Sequence, residues 1–187
     1  MNSNMIPSNQ IKRSSPRFIP MGYDGDLRFI RRLKDRRYRL KLKQPINNTI
    51  CFLDKISFGE NELNVINILG EPFLIYRNFL SDLPHTVFSY RLKSGTNKIK
   101  IELHFVDKSF FLGIIFYHTK SFNHSDLNHY FKADFGLDSF HFMRDIIVDP
   151  HDNFIEFHLD PDHFIMTFSK MKWIDSTKIF QNNQQVS

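Results

Sequence analysis

The sequence predicts an α+β fold in which an antiparallel β-sheet, made of a meander and a C-terminal hairpin, packs against two or three short helices. Three observations support this class. Three consecutive runs of alternating apolar residues occupy residues 88–116, one helix carries capping residues at both ends, and 21 of the 187 residues are phenylalanine. Each phenylalanine ring can bury roughly 150–250 Å², so the chain can build a sizeable core.

Two segments carry helix signals. Residues 62–69 follow Asn61, a suitable N-cap, and precede Gly70, which suits the left-handed position after a last helical turn. A second helix is predicted over residues 126–135, where Gly136 provides the stop. Both helices place apolar residues on one side, as expected for helices that cover a sheet.

The three alternating runs predict an antiparallel meander with a defined register. The first turn pairs Leu92 with Ile99, and the second pairs Leu103 with Leu112. Both pairings bring the apolar sets onto one side of the sheet. Because a slip of one residue would move a whole set to the other side, the agreement of the two turns supports this arrangement.

The third run also has large apolar residues on its reverse side, namely Phe111, Ile115 and Tyr117. Another part of the chain is one candidate to cover them. A patch that binds a partner protein is the functional alternative, so these three residues are the candidate protein-binding residues.

The C-terminal hairpin is predicted from its turn chemistry. Residues 160–163 satisfy the preferences of a type I turn that pairs Leu159 with Phe164 and Ile155 with Phe168. A strand within residues 140–148 leads into this hairpin.

Charge divides the chain into two regions. Residues 1–45 hold twelve basic and three acidic side chains, and the remainder holds thirteen basic and seventeen acidic ones. We therefore predict a flexible segment over residues 1–25, a basic helical arm over 26–45, a single α+β domain over 46–179 and a frayed tail over 180–187.

The basic arm has three possible uses: docking on the acidic body, binding the phosphates of nucleic acid, or lying on an anionic membrane surface. The arm matches no zinc-finger, RRM or KH spacing. If nucleic acid is the ligand, the candidate residues are Arg28, Arg31, Arg32, Arg36, Arg37 and Arg39.

Histidines and aspartates cluster near two turns, in D-P-H-D at 149–152 and H-L-D-P-D-H at 158–163. His151, His158 and Asp160 could serve a metal-dependent hydrolase. Turn roles alone account for the aspartates, and no zinc-site or calcium-loop spacing is present. Nucleotide-binding and serine-hydrolase motifs are also missing from the sequence. We therefore expect no metal and no cofactor.

The segment 56–118 shows a short pattern of G-E-x-x-x-x-V at 59–65 and L-G-E-P at 69–72, then I-E-L-H-F at 101–105 and F-L-G-I-I-F at 111–116. This pattern resembles the helix-plus-meander module of small outer-membrane assembly lipoproteins and of β-lactamase-inhibitor-protein-like domains. The resemblance implies a protein-binding module without catalysis and carries over no functional residue.

The sequence thus favours a non-enzymatic protein-binding module of inhibitor, immunity or adaptor type, with another protein as partner. Nucleic-acid binding and metal-dependent hydrolysis are the alternatives. A single cysteine, Cys51, excludes an internal disulfide, and no stretch reaches the roughly 20 apolar residues of a membrane helix. No export signal or lipid-anchoring cysteine is visible near the start, so we expect a cytoplasmic protein.

Overall fold

The computed structural model describes residues 42–80, 83–94, 97–118, 131–133, 135–137, 140–141, 144–159 and 163–170. Within them, eight strands form one mixed sheet, and helix α1 (Glu62–Leu69) packs on it. The strands are β1 (Leu42–Pro45), β2 (Leu74–Leu80), β3 (Leu83–Ser94), β4 (Asn97–Val106), β5 (Ser109–His118), β6 (Asp145–Val148), β7 (Asn153–Leu159) and β8 (His163–Lys170). Their order across the sheet is β1-β6-β7-β8-β5-β4-β3-β2.

Helix α1 begins and ends at the positions that the sequence predicts, although the ψ of −176° at Gly70 lies outside the left-handed helical region expected for this residue. The side chain of Asn61 accepts a hydrogen bond of 2.9 Å from the backbone N–H of Asn64, which satisfies one of the free donors of the first turn. Gly70 has φ +81° and donates its N–H to the carbonyl of Ile66 at 2.7 Å. Of the predicted second helix, residues 131–133 and 135 are described and helical.

Two of the three predicted strand pairings are confirmed. In the β3–β4 pair, Leu92 lies opposite Ile99. In the β7–β8 hairpin, Leu159 lies opposite Phe164 and Ile155 lies opposite Phe168. Each register follows from a short turn that joins neighbouring runs, and short connections are where local sequence determines pairing.

The register predicted between β4 and β5 is wrong beyond its first pair. Phe105 lies opposite Phe110 as expected, but a bulge follows and Leu103 faces Gly113 instead of Leu112. The register passes from Phe110 to Leu112, so Phe111 is the extra residue of the bulge. A bulge places two residues of one strand against one of the other, so every residue of β5 after Phe111 points to the side opposite the predicted one.

The sheet is mixed rather than purely antiparallel, because β1 runs parallel to β6 with Leu42 opposite Asp145. Residues 42–45, predicted as the end of a helical arm, therefore form a strand. The meander and the C-terminal hairpin also join into one sheet, since β5 pairs antiparallel with β8. These contacts connect distant parts of the chain, where no local turn signals the pairing.

The two sides of the sheet differ in chemistry. The core face packs against α1, against residues 46–58 and against the rings of Phe131 and Phe135. The polar face is the opposite side, and it includes His85, Ser89, Lys100, Glu102, His104, Glu156, His158, Thr167 and Ser169. All of these polar-face residues except Lys100 are buried.

Candidate functional site

The three residues predicted to form a protein-binding patch do not share a face. Ile115 is buried in the core-face cluster and Tyr117 packs against that cluster. Phe111 is also buried, with its ring 6.3 Å from the rings of His85 and His104. The bulge at Phe111 causes this separation, because it turns Ile115 and Tyr117 to the core face while Phe111 lies beside His104 on the polar face.

Asp149, in the D-P-H-D turn, has a structural role. Its carboxylate accepts backbone N–H bonds of 2.8 Å from Ile50, His151 and Asn153, and a 2.7 Å bond from the Asn153 side-chain amide. These four donors come from the β6–β7 turn and from a segment 99 residues earlier in the chain. The Asp149 side chain therefore stabilises the β6–β7 turn and connects it by a hydrogen bond to the backbone of Ile50.

Two of the candidate metal ligands, His151 and His158, lie apart in the structure. His151 is exposed in the turn before β7. That strand starts at Asn153, and His158 lies five residues further along it. At about 3.3 Å per residue this part of the strand alone spans about 16 Å. Asp160 lies outside the described residues. Within the described part of the chain, no three His, Cys, Asp or Glu side chains are grouped as a metal ion requires.

The six arginines proposed for nucleic-acid binding, Arg28, Arg31, Arg32, Arg36, Arg37 and Arg39, also lie outside the described residues.

Four polar-face side chains form a connected line across β3 and β4, here named the polar chain. Lys100 Nζ lies 2.9 Å from Glu102 Oε1, and Glu102 Oε2 lies 3.5 Å from His104 Nε2. His104 Nδ1 lies 3.2 Å from His85 Nε2. Burial, with His104 alongside, lowers the pKa of His85 to about 3, so this imidazole is neutral near pH 7.

The polar chain is connected but incompletely hydrogen-bonded. Each group contacts the next along or between strands, yet both Glu102 carboxylate oxygens, His104 Nε2 and His85 Nδ1 are buried without a hydrogen-bond partner. The lysine ammonium next to Glu102 balances the carboxylate charge, as a buried carboxylate requires. Such a line can stabilise a buried charge and link two strands.

A second carboxylate and imidazole occur at the matching place on β7. I-E-L-H at 101–104 of β4 is repeated as I-E-F-H at 155–158 of β7. Glu102 and Glu156 lie on one row across the sheet, through Ile114 and Thr167. Three strand spacings, about 14 Å in all, separate the backbones of these two residues.

The exposed apolar residues of the described chain concentrate at the β2 end of the sheet. Phe73, Leu74, Ile75 and Tyr76, here named the β2 surface, are 42, 43, 37 and 42% exposed. Ile75 pairs with core-face Phe88, whereas Leu74 and Tyr76 pair with polar-face residues. The side chains on both sides of β2 are therefore similarly exposed, and at this strand neither side of the sheet is fully covered by other parts of the described chain.

Two further features adjoin the β2 surface in sequence or space. The Arg91 guanidinium lies over the Phe73 ring at 4.0 Å, within the range of a cation–π contact. In α1, which ends four residues before Phe73, Leu63 and Ile68 are also exposed.

Periodicity did not identify this region in the sequence. Residues 73–76 are four consecutive large apolar residues without alternation, so neither a half-buried strand nor a helix face is indicated. The one signal in the sequence is that Arg77 directly follows this run, since charged side chains are among the features of edge strands.

No family model, curated protein or solved structure matches this chain. In the part of the chain that the structure describes, no helix combines the length and apolar character needed to cross a bilayer.

Proposed function

We propose that this chain is a non-catalytic protein-binding module of inhibitor, immunity or adaptor type, and that its partner binds the β2 surface. The observation that supports this function is the run of four large apolar side chains, all about 40% exposed, on the last strand of the described sheet. Grouped apolar side chains at a protein surface are typical of interaction sites.

The polar residues support the non-catalytic part of this proposal. In the described part of the chain, the most connected group of ionisable side chains is the polar chain, in which Glu102 and His104 are both buried and contact each other. Catalysis usually requires polar groups that converge on a space where a substrate can lie. The sheet instead uses these side chains within its own ladder.

Two leucines of nearly equal exposure provide a matched test. Leu74 on the β2 surface is 43% exposed and Leu159 at the end of β7 is 44% exposed. The wild-type chain and the Leu74→Asp and Leu159→Asp variants would be used to capture proteins from cell extract. A captured protein would be identified by mass spectrometry, purified and titrated against each variant by calorimetry.

We expect Leu74→Asp to weaken binding of the purified partner by about tenfold or more, because a carboxylate would be desolvated in an apolar contact. Leu159→Asp should bind like the wild type. Thermal melting of all three proteins checks that the fold is retained. Equal affinity of the Leu74→Asp and wild-type chains would contradict the proposed surface, as would a failure of the wild type to capture any partner.

A further inference from the structure

We propose that the partner adds an extended strand to the free edge of β2 and places an acidic side chain opposite Arg77. This inference rests on the proposed function and specifies the form and chemistry of the partner.

The two outer strands of the sheet differ in how they present their edges. β2 pairs with β3 without a bulge from Leu74 to Leu80, and no strand among the described residues pairs with its other side. At the opposite edge, β1 has four residues and includes Lys43 and Pro45. Short length, lysine and proline are the features by which proteins block strand addition.

β2 has none of these three features, although it carries one charged residue, Arg77, and charged side chains also oppose strand addition. Its seven residues, L-I-Y-R-N-F-L, contain no proline and no lysine, and its ladder with β3 is regular. An edge strand of this kind presents a row of backbone N–H and C=O groups to any extended segment that approaches it. Among the described residues, β1 therefore carries more of these protecting features than β2 does, and no described strand covers the outer side of β2.

The side chains of β2 favour an added strand on both sides of the sheet. Leu74 and Tyr76 point to the polar-face side, and Ile75 points to the core-face side. An added strand would place alternate side chains against each of these sets. It would thereby cover apolar area above and below the new ladder as well as pair its backbone.

Charge distinguishes a partner protein from a second copy of this chain. Arg77 is exposed and is the central residue of β2. If β2 paired antiparallel with itself at full overlap, Arg77 would lie directly opposite the same arginine of the second copy, and like charges in that position are destabilising. An aspartate or glutamate there is favourable.

The experiment uses two labelled probe peptides with the full chain. One is T-V-T-V-E-V-T-V-T with both ends blocked, and the other has lysine in place of the central glutamate. Fluorescence anisotropy measures affinity for the wild type, for Arg77→Glu and for Lys55→Glu, a charge reversal at an exposed turn away from β2. Hydrogen exchange of the 74–80 amides reports backbone pairing.

We expect the glutamate peptide to bind the wild type and Lys55→Glu about fivefold more tightly than the lysine peptide. Arg77→Glu should reverse this preference. Exchange of the 74–80 amides should slow when the peptide binds. Equal affinity for both peptides, a preference that Arg77→Glu leaves unchanged, or no protection at 74–80 would overturn the proposal.

Two outcomes separate this inference from the function on which it rests. If the Leu74→Asp variant loses its partner but the peptides neither bind nor protect β2, strand addition is wrong and the proposed function stands. If sedimentation shows a dimer of the purified chain that protects the 74–80 amides, a second copy occupies the edge and the proposed partner strand is wrong.

Discussion

His85 illustrates how a single buried residue makes stability depend on pH. Its ring is buried on the polar face, 3.2 Å from His104, and burial together with that neighbour lowers its pKa from 6.5 to about 3. The unfolded chain takes up a proton near pH 6.5, whereas the folded chain does so only near pH 3. The unfolded state therefore binds more protons between these values, and stability falls as the pH is lowered through that range.

This difference predicts a measurable effect of His85→Gln. Between pH 7 and pH 5 the wild type should lose about 2 kcal/mol more unfolding free energy than the variant, since one group accounts for about 1.4 kcal/mol per pH unit within its window. Urea denaturation at both pH values provides the measurement. Groups that do not contact His85 contribute equally to both proteins, so the comparison reports on His85 together with its neighbour His104. Identical pH profiles would show that His85 is not the cause.

At the scale of the strand, the bulge in β5 and Gly113 form one packing unit with Phe52. The bulge places Gly113 on the core face opposite Leu103. The Phe52 ring lies over this glycine so closely that an added Cβ would come within 2.4 Å of two ring carbons. Phe52 is fully buried and contacts the rings of Phe110 and Phe168, so it has little room to move.

Gly113→Ala should therefore destabilise the fold by about 2–3 kcal/mol, the typical cost of overpacking a tight core. Urea denaturation measures this loss. The double variant Gly113→Ala/Phe52→Leu should lose less than the sum of the two single variants, because the smaller side chain leaves room for the new methyl group. Additive losses would show that the two residues are not coupled.

The same unit shows what could be predicted from the sequence. The Leu92–Ile99 and Leu159–Phe164 pairings follow from turns and alternating apolar residues, and they are confirmed. Residues 110–116 are apolar on both sides of the strand, so alternation could not reveal that Phe111 is skipped. The exposed strand β2 was missed for a related reason, since four apolar residues in succession have no period.

Local sequence patterns also could not predict the pairing of strands that are distant in the sequence. The parallel β1–β6 ladder joins Leu42 to Asp145, and the β5–β8 ladder joins Ile114 to Thr167. Neither pair of strands is connected by a short turn, so the packing of the whole core determines which strands lie next to each other. The position of Glu102 and Glu156 on one row could not be predicted without knowing that β5 pairs with β8.

Across the whole molecule, the sheet has an approximate two-fold arrangement about a point between Ile114 and Thr167. In the strand order, β4 and β5 correspond to β7 and β8, and the I-E-x-H segments at 101–104 and 155–158 occupy matching positions. The correspondence ends at the edges, where β2 is long and antiparallel but β1 is short and parallel. The proposed binding edge is thus where the two halves differ most.

Asp149 connects distant parts of this arrangement, and its acceptor geometry leads to a final prediction. Oδ1 accepts the N–H groups of His151 and Asn153, and Oδ2 accepts the N–H of Ile50 and the side-chain amide of Asn153. In Asp149→Asn, one of these oxygens becomes an NH₂ group that faces two donors. A buried donor without an acceptor costs about 1–3 kcal/mol, so we expect a loss of about 3 kcal/mol.

Asp152→Asn is the matched control, because Asp152 is exposed in the same turn and its φ of +59° is one that asparagine tolerates. This variant should change the free energy of unfolding by less than about 0.5 kcal/mol. Urea denaturation compares the two, and hydrogen exchange at the Ile50 amide reports whether the loop stays fastened. Faster exchange at Ile50 in Asp149→Asn alone is expected, because its N–H then loses a carboxylate acceptor. Equal stability of both variants would show that the turn does not depend on the carboxylate.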